Sequence, residues 1–279
     1  IRGDIYDEGK AVQTSFLKLH VYISLEKIAI RFASNYSVVS SVLGSIIKRR
    51  NRSQKEPFVI PSCVNTSKFN SSDDNILLKR EELGFAKDDV VLIYSGGLSH
   101  YQKVPEMLEL WFKLHKESDK IKFLLLTNSD PHSLPTDVIG LNEFGSSLQF
   151  ISLPRAEVPS TLCAADIAFL LRDDRDLNRA SSPVKFAEYI ASGLAVIGSP
   201  NIGDISNNIE KNNIGMLISP GDLDREYHDL LEFTKSFREK RESYSSRAMN
   251  LAKDNYDWQS YQDEFTKIYG VPKSLCEER

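Results

Sequence analysis

Cysteine is scarce in this chain of 279 residues, and so are the patterns in which cysteine serves structural chemistry. Cys63, Cys163 and Cys276 are widely separated, with no CxxC pair and no histidine at ligand spacing. We therefore expect neither a disulfide framework nor a zinc site, a pattern typical of a reducing compartment. The sequence also has no apolar run of the roughly 18 residues that span a bilayer. Its net charge of −4 argues against a nucleic-acid binder.

What the sequence does have, from about residue 85 onward, is a regular alternation of short apolar runs with amphipathic stretches. Runs this rich in Val, Ile, Leu and Phe suit strands of a parallel sheet that is covered on both faces. Because parallel strands need crossover connections, the alternation predicts a doubly wound α/β domain. The predicted strands are Val90–Tyr94, Ile121–Leu126, Leu148–Ile151, Asp166–Leu171, Leu194–Ile197 and Ile214–Ile218. The predicted helices are Val104–Glu117, Arg155–Ala165, Pro183–Ser192, Asp204–Lys211 and a broken helix over Asp222–Lys253.

A shorter version of the same alternation comes first. It predicts a helix, a strand, a helix and a strand, followed by a polar linker. This leading segment is too short to be a complete α/β domain, and the chain begins in mid-pattern at Ile1. We therefore expect a chain truncated at its N-terminus. The predicted elements are Asp7–Arg31, Tyr36–Ser40, Val42–Arg50 and Phe58–Ile60, with the linker formed by Pro61-Ser62 and the polar stretch Asn65–Asp74.

Paired glycines, Gly96 and Gly97, follow the strand Val90–Tyr94. In an open α/β sheet, ligands bind outside the carboxyl ends of the strands. Glycines at that place let backbone N–H groups approach an anion closely. The alternative is a tight turn that needs glycine for its shape alone, and two glycines do not decide between these readings.

A second candidate is the helix that begins near Pro183. We expect Pro183 in its first turn and Ser182 as its N-cap, so that the free N–H groups attract phosphate. Lys185 and Glu188 are three residues apart and share one face. A carboxylate there can accept the hydroxyls of a ribose, and the lysine can neutralise phosphate. The alternative is a structural cap with a solvated ion pair. We favour binding, because the cap, the helix and the next buried strand coincide at a carboxyl-end position.

The segment SSPVKFAEYIASGLAVIGS, residues 181–199, resembles the donor-site helix of family 4-like (group 1) glycosyltransferases of the GT-B fold. Other stretches agree in order and spacing. They are Ile1–Asp4, Val59–Asn65, Val91–Ser99, Leu162–Leu170 and Asp257-Trp258, the last like the helix that crosses back to the acceptor domain.

The resemblance implies two Rossmann-like domains. Residues 1–68 would be the remnant of the acceptor domain with the linker, 69–255 the donor domain, and 256–279 the crossover helix. It implies transfer of a hexose-type sugar from a nucleotide diphosphate-sugar to a saccharide or lipid-linked acceptor, in cell-surface polysaccharide synthesis. No cofactor or metal is implied, and the expected location is the cytoplasm, at the inner membrane face for a lipid-linked acceptor. The implied donor-binding residues are Gly96, Gly97, Lys103, Arg172, Ser181, Ser182, Lys185 and Glu188, with no catalytic residue assigned.

Two departures from the family pattern keep other functions open. Ala180 stands where many relatives carry a glutamate near the transferred sugar, and Gly97 and Gln102 replace a frequent Arg and Lys. In this chain the charge of the diphosphate would then be neutralised by Lys185, Lys103 and Arg172. The alternatives are a nucleotide-sugar epimerase on the same fold and a non-catalytic nucleotide-binding subunit.

The basic run Lys48–Arg52 also has two interpretations. It would suit contact with an anionic membrane that carries a lipid-linked acceptor. More often, cations at the end of a helix complement the helix dipole, which is the reading we prefer.

Overall fold

The computed structural model describes residues 1, 3–4, 15–134 and 140–270. Its strands, numbered along the chain, are β1 (Ser37–Val38), β2 (Phe58–Val59), β3 (Val90–Ser95), β4 (Ile121–Leu126), β5 (Leu148–Ile151), β6 (Ile167–Leu170), β7 (Ala195–Gly198) and β8 (Gly215–Leu217). The last six form one parallel sheet in the order β5-β4-β3-β6-β7-β8. All six apolar runs therefore form strands, and the predicted doubly wound α/β class is confirmed.

The helices of the described ranges are numbered in the same way. They are α1 (Phe16–Phe32), α2 (Ser41–Asn51), α3 (Asp73–Glu82), α4 (Val104–Glu117), α5 (Val158–Cys163), α6 (Asp176–Arg179), α7 (Val184–Ala191), α8 (Ile205–Lys211), α9 (Leu223–Asn255) and α10 (Gln262–Tyr269). No helix in these ranges is both long enough and apolar enough to cross a bilayer.

Both faces of the sheet are covered, which is why its strands are apolar throughout. Along β3, Val91 and Ile93 belong to a core shared with α7 and α8, whereas Leu92 and Tyr94 belong to a core shared with α4. Removing apolar surface from water stabilises a fold by about 25 cal/mol per Å². These two cores are therefore the main source of the domain's stability. Between β3 and β6 the strand order reverses, and that switch point is where open α/β sheets bind ligands.

The predicted break in the helix after Asp222 is wrong, since α9 runs without interruption from Leu223 to Asn255. No Gly or Pro occurs in this segment. Its buried side chains also favour continuity, because Leu230 and Phe237 pack in the α4 core while Ala248 and Leu251 pack in the α7 core. A single long helix thus joins both cores, and a break would separate those contacts.

The polar stretch predicted as a linker, Asn65–Asp74, is also more ordered than expected. A 3-10 turn covers Thr66–Phe69, and α3 begins at Asp73 with Ser72 accepting a hydrogen bond from Asn75 N at 3.4 Å. The sequence of α3 is mostly polar, so its helical periodicity is weak. Its anchor is Arg80, a buried charged residue that the periodicity of apolar residues does not detect.

The leading segment forms a small unit of α1, α2 and the two parallel strands β1 and β2. The predicted helix over Asp7–Arg31 is observed from Phe16 onward, and residues 5–14 lie outside the described ranges. Arg50 forms ion pairs with Asp4 at 2.6 Å and Glu26 at 2.9 Å. Part of the basic run therefore serves internal pairs, and its membrane contact stays a prediction.

The chain returns from α9 to the segment that follows the leading unit. Val64 and Asp257 form an isolated parallel bridge, and Asp257 accepts a hydrogen bond from Thr66 N at 2.9 Å. Tyr256 lies in the α7 core, with its ring 5.1 Å from that of Phe186. The segment around Val64 and the end of α9 are therefore fixed to each other beside α7. The division at residues 68 and 255 remains a prediction.

Candidate functional site

A cleft of about 1190 Å³ opens at the carboxyl ends of β3, β4 and β5. Loops after these strands form one wall, and α7 contributes Val184 and Glu188. The segment after β2 and Trp258 also line the cleft. The residues that line it include Cys63, Asn65, Lys68, Phe69, Ser95, Gly96, Gly97, Thr127, Asn128, Ser129, Leu153 and Arg155. The predicted residues Gly96, Gly97 and Glu188 therefore share one cleft.

Lys185 lies directly behind Gly96. Its Nζ donates hydrogen bonds to Tyr94 Oη and Gln102 Oε1, both at 3.0 Å, and lies 4.4 Å from the centre of the Tyr94 ring. Gly96 has a φ of +149°, and a Cβ built there would collide with Lys185 Nζ. The backbone conformation therefore favours glycine here, and a larger residue would displace the end of the Lys185 side chain.

The charge on Lys185 is poorly compensated. Burial, followed by the positive charge of Arg172, lowers the pKa of Lys185 to about 7, while Glu188 acts in the opposite direction. Burial also lowers the pKa of Arg172, whose guanidinium lies 5.0 Å from the Tyr101 ring centre and whose Nε has no hydrogen-bond partner among the described residues. Two cations without a close carboxylate favour an anion.

Glu188 faces the cleft from the same helix. Burial raises the pKa of Glu188, and the charges of Arg155 and Lys185 partly offset that effect. Its Oε1 lies 4.0 Å from Arg155 Nη2, beyond hydrogen-bond length. This carboxylate is therefore placed to accept hydrogen bonds from a ligand in the cleft.

The start of α7 differs from the prediction. The helix begins at Val184 with Pro183 as its N-cap residue, and no side chain caps it. Ser182 is not the cap, because its Oγ instead accepts a hydrogen bond from Ser62 N at 3.0 Å. Ser181 Oγ donates to Asn178 O at 2.8 Å. The serines thus tie the start of α7 to neighbouring segments, which leaves its first N–H groups uncapped.

The remaining predicted residues lie around the glycine loop. Gly97 O accepts a hydrogen bond from Tyr94 Oη at 2.6 Å, which fixes the loop to the end of β3. Lys103 has a left-handed backbone with a φ of +56°, and its Nζ pairs with Glu106 at 2.8 Å. Its amine is thus in an ion pair, whereas the Lys185 amine contacts only the neutral groups of Tyr94 and Gln102.

Four residues of this arrangement were missed by the sequence reasoning: Tyr94, Gln102, Tyr189 and Arg155. Tyr94 and Tyr189 looked like core residues, yet each has a polar role, because Tyr189 Oη accepts a hydrogen bond from Ser95 N at 2.9 Å. Their positions beside the glycine loop and in the α7 motif were the available signals. Gln102 and Arg155 lie in 3-10 turns. The signal for Gln102 was its place at a lysine position of the family pattern, and that for Arg155 was its place after a strand. Among the described residues, no group of three or more His, Cys, Asp or Glu side chains is arranged to hold a metal ion.

Comparison with known proteins places the fold. No protein-family model and no curated protein sequence matches the chain. WaaG, a glycosyltransferase involved in lipopolysaccharide biosynthesis, has a similar structure with a TM-score of 0.71 at 15% identity, covering 95% of this chain and 73% of WaaG. HepE of Anabaena in complex with UDP-glucose gives 0.72 at 18%, covering 97% and 71%. The C-terminal domain of LpcC, a group 1 glycosyl transferase of Francisella tularensis, gives 0.57 at 17%, covering 70% and 100%. At these identities the likeness establishes the fold, which is that of the GT-B glycosyltransferases.

Proposed function

We propose that the cleft binds a nucleotide diphosphate-sugar and that the protein is a glycosyltransferase acting on a saccharide or lipid-linked acceptor. One observation carries the proposal. Lys185 lies behind the glycine loop at the switch point of the sheet, and no carboxylate pairs closely with it. One helical turn away, the carboxylate of Glu188 lines the cleft. A nucleotide diphosphate presents the complementary groups, with anionic phosphates for the cation and ribose hydroxyls for the carboxylate.

In this proposal Glu188 accepts hydrogen bonds from the ribose hydroxyls. Lys185, supported by Arg172, neutralises the diphosphate beside Gly96, together with the free N–H groups at the start of α7. Their contribution to catalysis is electrostatic, since the diphosphate becomes the leaving group and gains charge as the sugar departs. The cleft walls hold donor and acceptor in position.

The sugar class and the location are proposed from the proteins of similar fold. HepE binds UDP-glucose and WaaG functions in lipopolysaccharide biosynthesis, which makes a hexose donor and a role in cell-surface polysaccharide synthesis the first choices to test. A cytoplasmic location, at the inner membrane face for a lipid-linked acceptor, agrees with the use of nucleotide sugars.

The test is a thermal-shift panel followed by a turnover assay. UDP, ADP, GDP and their hexose conjugates should raise the melting temperature, because a ligand that binds only the folded state stabilises it. Release of nucleotide from the stabilising conjugate, dependent on an acceptor saccharide, would then establish transfer. If no nucleotide shifts the melting temperature, the proposal is wrong.

A second function, binding without turnover, has one observation in its favour. Ala180, which stands where relatives carry a glutamate near the sugar, is buried in the apolar cluster of the leading unit and does not line the cleft. Nucleotide binding with neither hydrolysis nor transfer would select a non-catalytic subunit. Interconversion of nucleotide sugars without an acceptor would select an epimerase.

A further inference from the structure

The cleft extends sideways beyond the groups proposed to hold the diphosphate and the ribose. Gly96 follows β3, and in the sheet β4 and then β5 lie next to β3 on one side. Neighbouring strands are about 5 Å apart, so the cleft continues for roughly 10 Å past the glycine loop. We call the part over β4 and β5 the outer end of the cleft. The residues that line it are Thr127, Asn128, Ser129, Leu153, Arg155, Val158 and Pro159.

The order of the ligand's parts assigns the base to this outer end. In a nucleotide, the phosphates and the base are attached on opposite sides of the ribose. If Lys185 holds the diphosphate and Glu188 the ribose hydroxyls, the base points away from Lys185. Arg155 lies in that direction, because it lines the outer end and its Nη2 is 4.0 Å from Glu188 Oε1.

The outer end offers apolar surface together with hydrogen-bond donors. Leu153, Val158 and Pro159 provide apolar groups for the flat faces of a base. Asn128 Oδ1 accepts a hydrogen bond from Ser152 Oγ at 2.7 Å, which leaves the two N–H groups of the amide for a ligand. Arg155 is 91% exposed, and its guanidinium adds five further N–H donors.

Acceptors of negative charge are scarce in the same cleft. Among the described residues that line it, Glu188 is the only one with a carboxylate, and in the proposed function the ribose occupies that group. The amino groups of adenine, guanine and cytosine would therefore meet no acidic partner at the outer end. Uracil has no amino group and two exocyclic carbonyl oxygens, whereas cytosine and guanine have one and adenine has none. The donors at this end thus match uracil best.

We propose that Arg155 and Asn128 select uracil as the base of the donor, each by donating hydrogen bonds to one of its two carbonyl oxygens. The inference rests on the proposed function, since it names the nucleotide bound in the same cleft. It makes the donor a uridine diphosphate-sugar. Selection follows from the unpaired groups, because a site that donates to a carbonyl loses that bond when the ligand lacks it.

Calorimetric titration of the full chain with UDP, CDP, GDP and ADP tests the selection. All four ligands carry the same ribose and diphosphate, so differences in affinity report the base alone. UDP should bind at least about tenfold more tightly than each of the others, since each lacks one or both carbonyl oxygens.

Arg155→Leu tests the first of the two donors. The preference for UDP over ADP should fall about tenfold, because one carbonyl oxygen of uracil loses its partner and adenine has none to lose. An arginine that only attracted the diphosphate would weaken UDP and ADP equally when removed. The matched control is Arg225→Leu on α9, an exposed arginine that does not line the cleft, and it should leave the preference unchanged.

Asn128→Asp tests the second donor by replacing it with an acceptor. The carboxylate keeps an oxygen for Ser152 but has no N–H group for uracil, so UDP affinity should fall about tenfold. CDP and GDP carry amino groups that a carboxylate accepts, so their affinities should hold or rise, and the preference for UDP should narrow. Asn207→Asp, at an exposed residue of α8, adds the same charge outside the cleft and is the control.

The outcomes separate the two proposals. If none of the four nucleoside diphosphates binds, the proposed function and this inference both fail. If CDP, GDP or ADP binds as tightly as UDP, the inference is wrong and the proposed function stands. A preference for UDP that survives in both Arg155→Leu and Asn128→Asp would show that other groups select the base, and it would also overturn the inference.

Discussion

Lys185 and Glu188 lie on one turn of α7 and are both shifted toward their uncharged forms. Burial lowers the pKa of the lysine and raises that of the glutamate, so neither charge stabilises the empty protein. An ion pair within the helix would have shifted both pKa values the other way. The pair is thus arranged for a ligand that contacts each group separately.

Glu188→Gln tests the ribose contact. Hydrogen bonds to a charged acceptor contribute about 1.5–3 kcal/mol, so UDP affinity should fall by roughly ten- to a hundred-fold. The melting temperature should stay the same or rise, because the change removes a carboxylate whose charged form is disfavoured by burial. Glu210→Gln, at an exposed residue of α8, is the control and should change neither quantity. An unaltered affinity for UDP would exclude Glu188 from the site.

Gly96→Ala tests the packing of the glycine loop on Lys185. The added methyl group would meet Lys185 Nζ, and the backbone would hold a φ of +149° that side chains rarely adopt. We expect a loss of about 1 kcal/mol or more in stability and about a tenfold loss of UDP affinity. Gly221→Ala is the control, since an added Cβ there meets nothing within 4 Å. Equal effects of the two substitutions, measured by denaturation and titration, would contradict the proposed contact.

At the scale of elements, α3 is fixed to the sheet by a buried cluster of charges. Arg80 Nη1 lies 3.2 Å from Asp166 Oδ2 and donates to Ala164 O at 3.0 Å. Arg241 of α9 reaches the other carboxylate oxygen of Asp166 at 2.8 Å. One carboxylate at the start of β6 therefore joins two helices that are distant in the sequence.

Arg80→Leu should lower the free energy of unfolding by about 3 kcal/mol, because it leaves a buried carboxylate and several carbonyls with fewer partners. Lys79→Leu on the same helix removes an ion pair with the exposed Glu82, and its effect should stay within about 0.5 kcal/mol. Urea denaturation of both variants measures the difference. A similar small loss for both would mean that α3 is held mainly by its apolar contacts.

The sequence predicted those elements whose apolar residues follow a clear period. The six strands of the main sheet are buried on both faces, which makes them continuous apolar runs in the sequence. The helix α4 is buried on one face, which gives it a clear helical period and allowed its bounds to be predicted. The sequence could not show the polar contacts that depend on the fold. Serine is a residue type that often caps helices, but the Ser182 hydroxyl instead accepts a hydrogen bond from Ser62 N, in the segment after β2. Gln102 meets Lys185 only because β3 and α7 lie side by side.

At the scale of the whole molecule, the packing indicates how the proposed donor domain should be isolated. Val64 and Tyr256 belong to the α7 core, although both fall outside residues 69–255. A shortened chain of residues 62–262 should therefore fold more stably than one of residues 69–255, and it should still bind UDP. Denaturation midpoints of the two chains provide the comparison. Equal stability would show that the crossing between Val64 and Asp257 contributes little.

The central claim is that this fold uses Lys185 to bind the diphosphate of a nucleotide-activated sugar. The most direct measurement is calorimetric titration of the full chain and of Lys185→Met with UDP and with uridine. The unaltered chain should bind UDP at least about tenfold more tightly than uridine, since only UDP carries the charge that the lysine neutralises. In Lys185→Met that preference should largely disappear, while uridine binding changes little. Equal affinities for UDP and uridine in the unaltered chain, or an undiminished preference in the variant, would contradict the account.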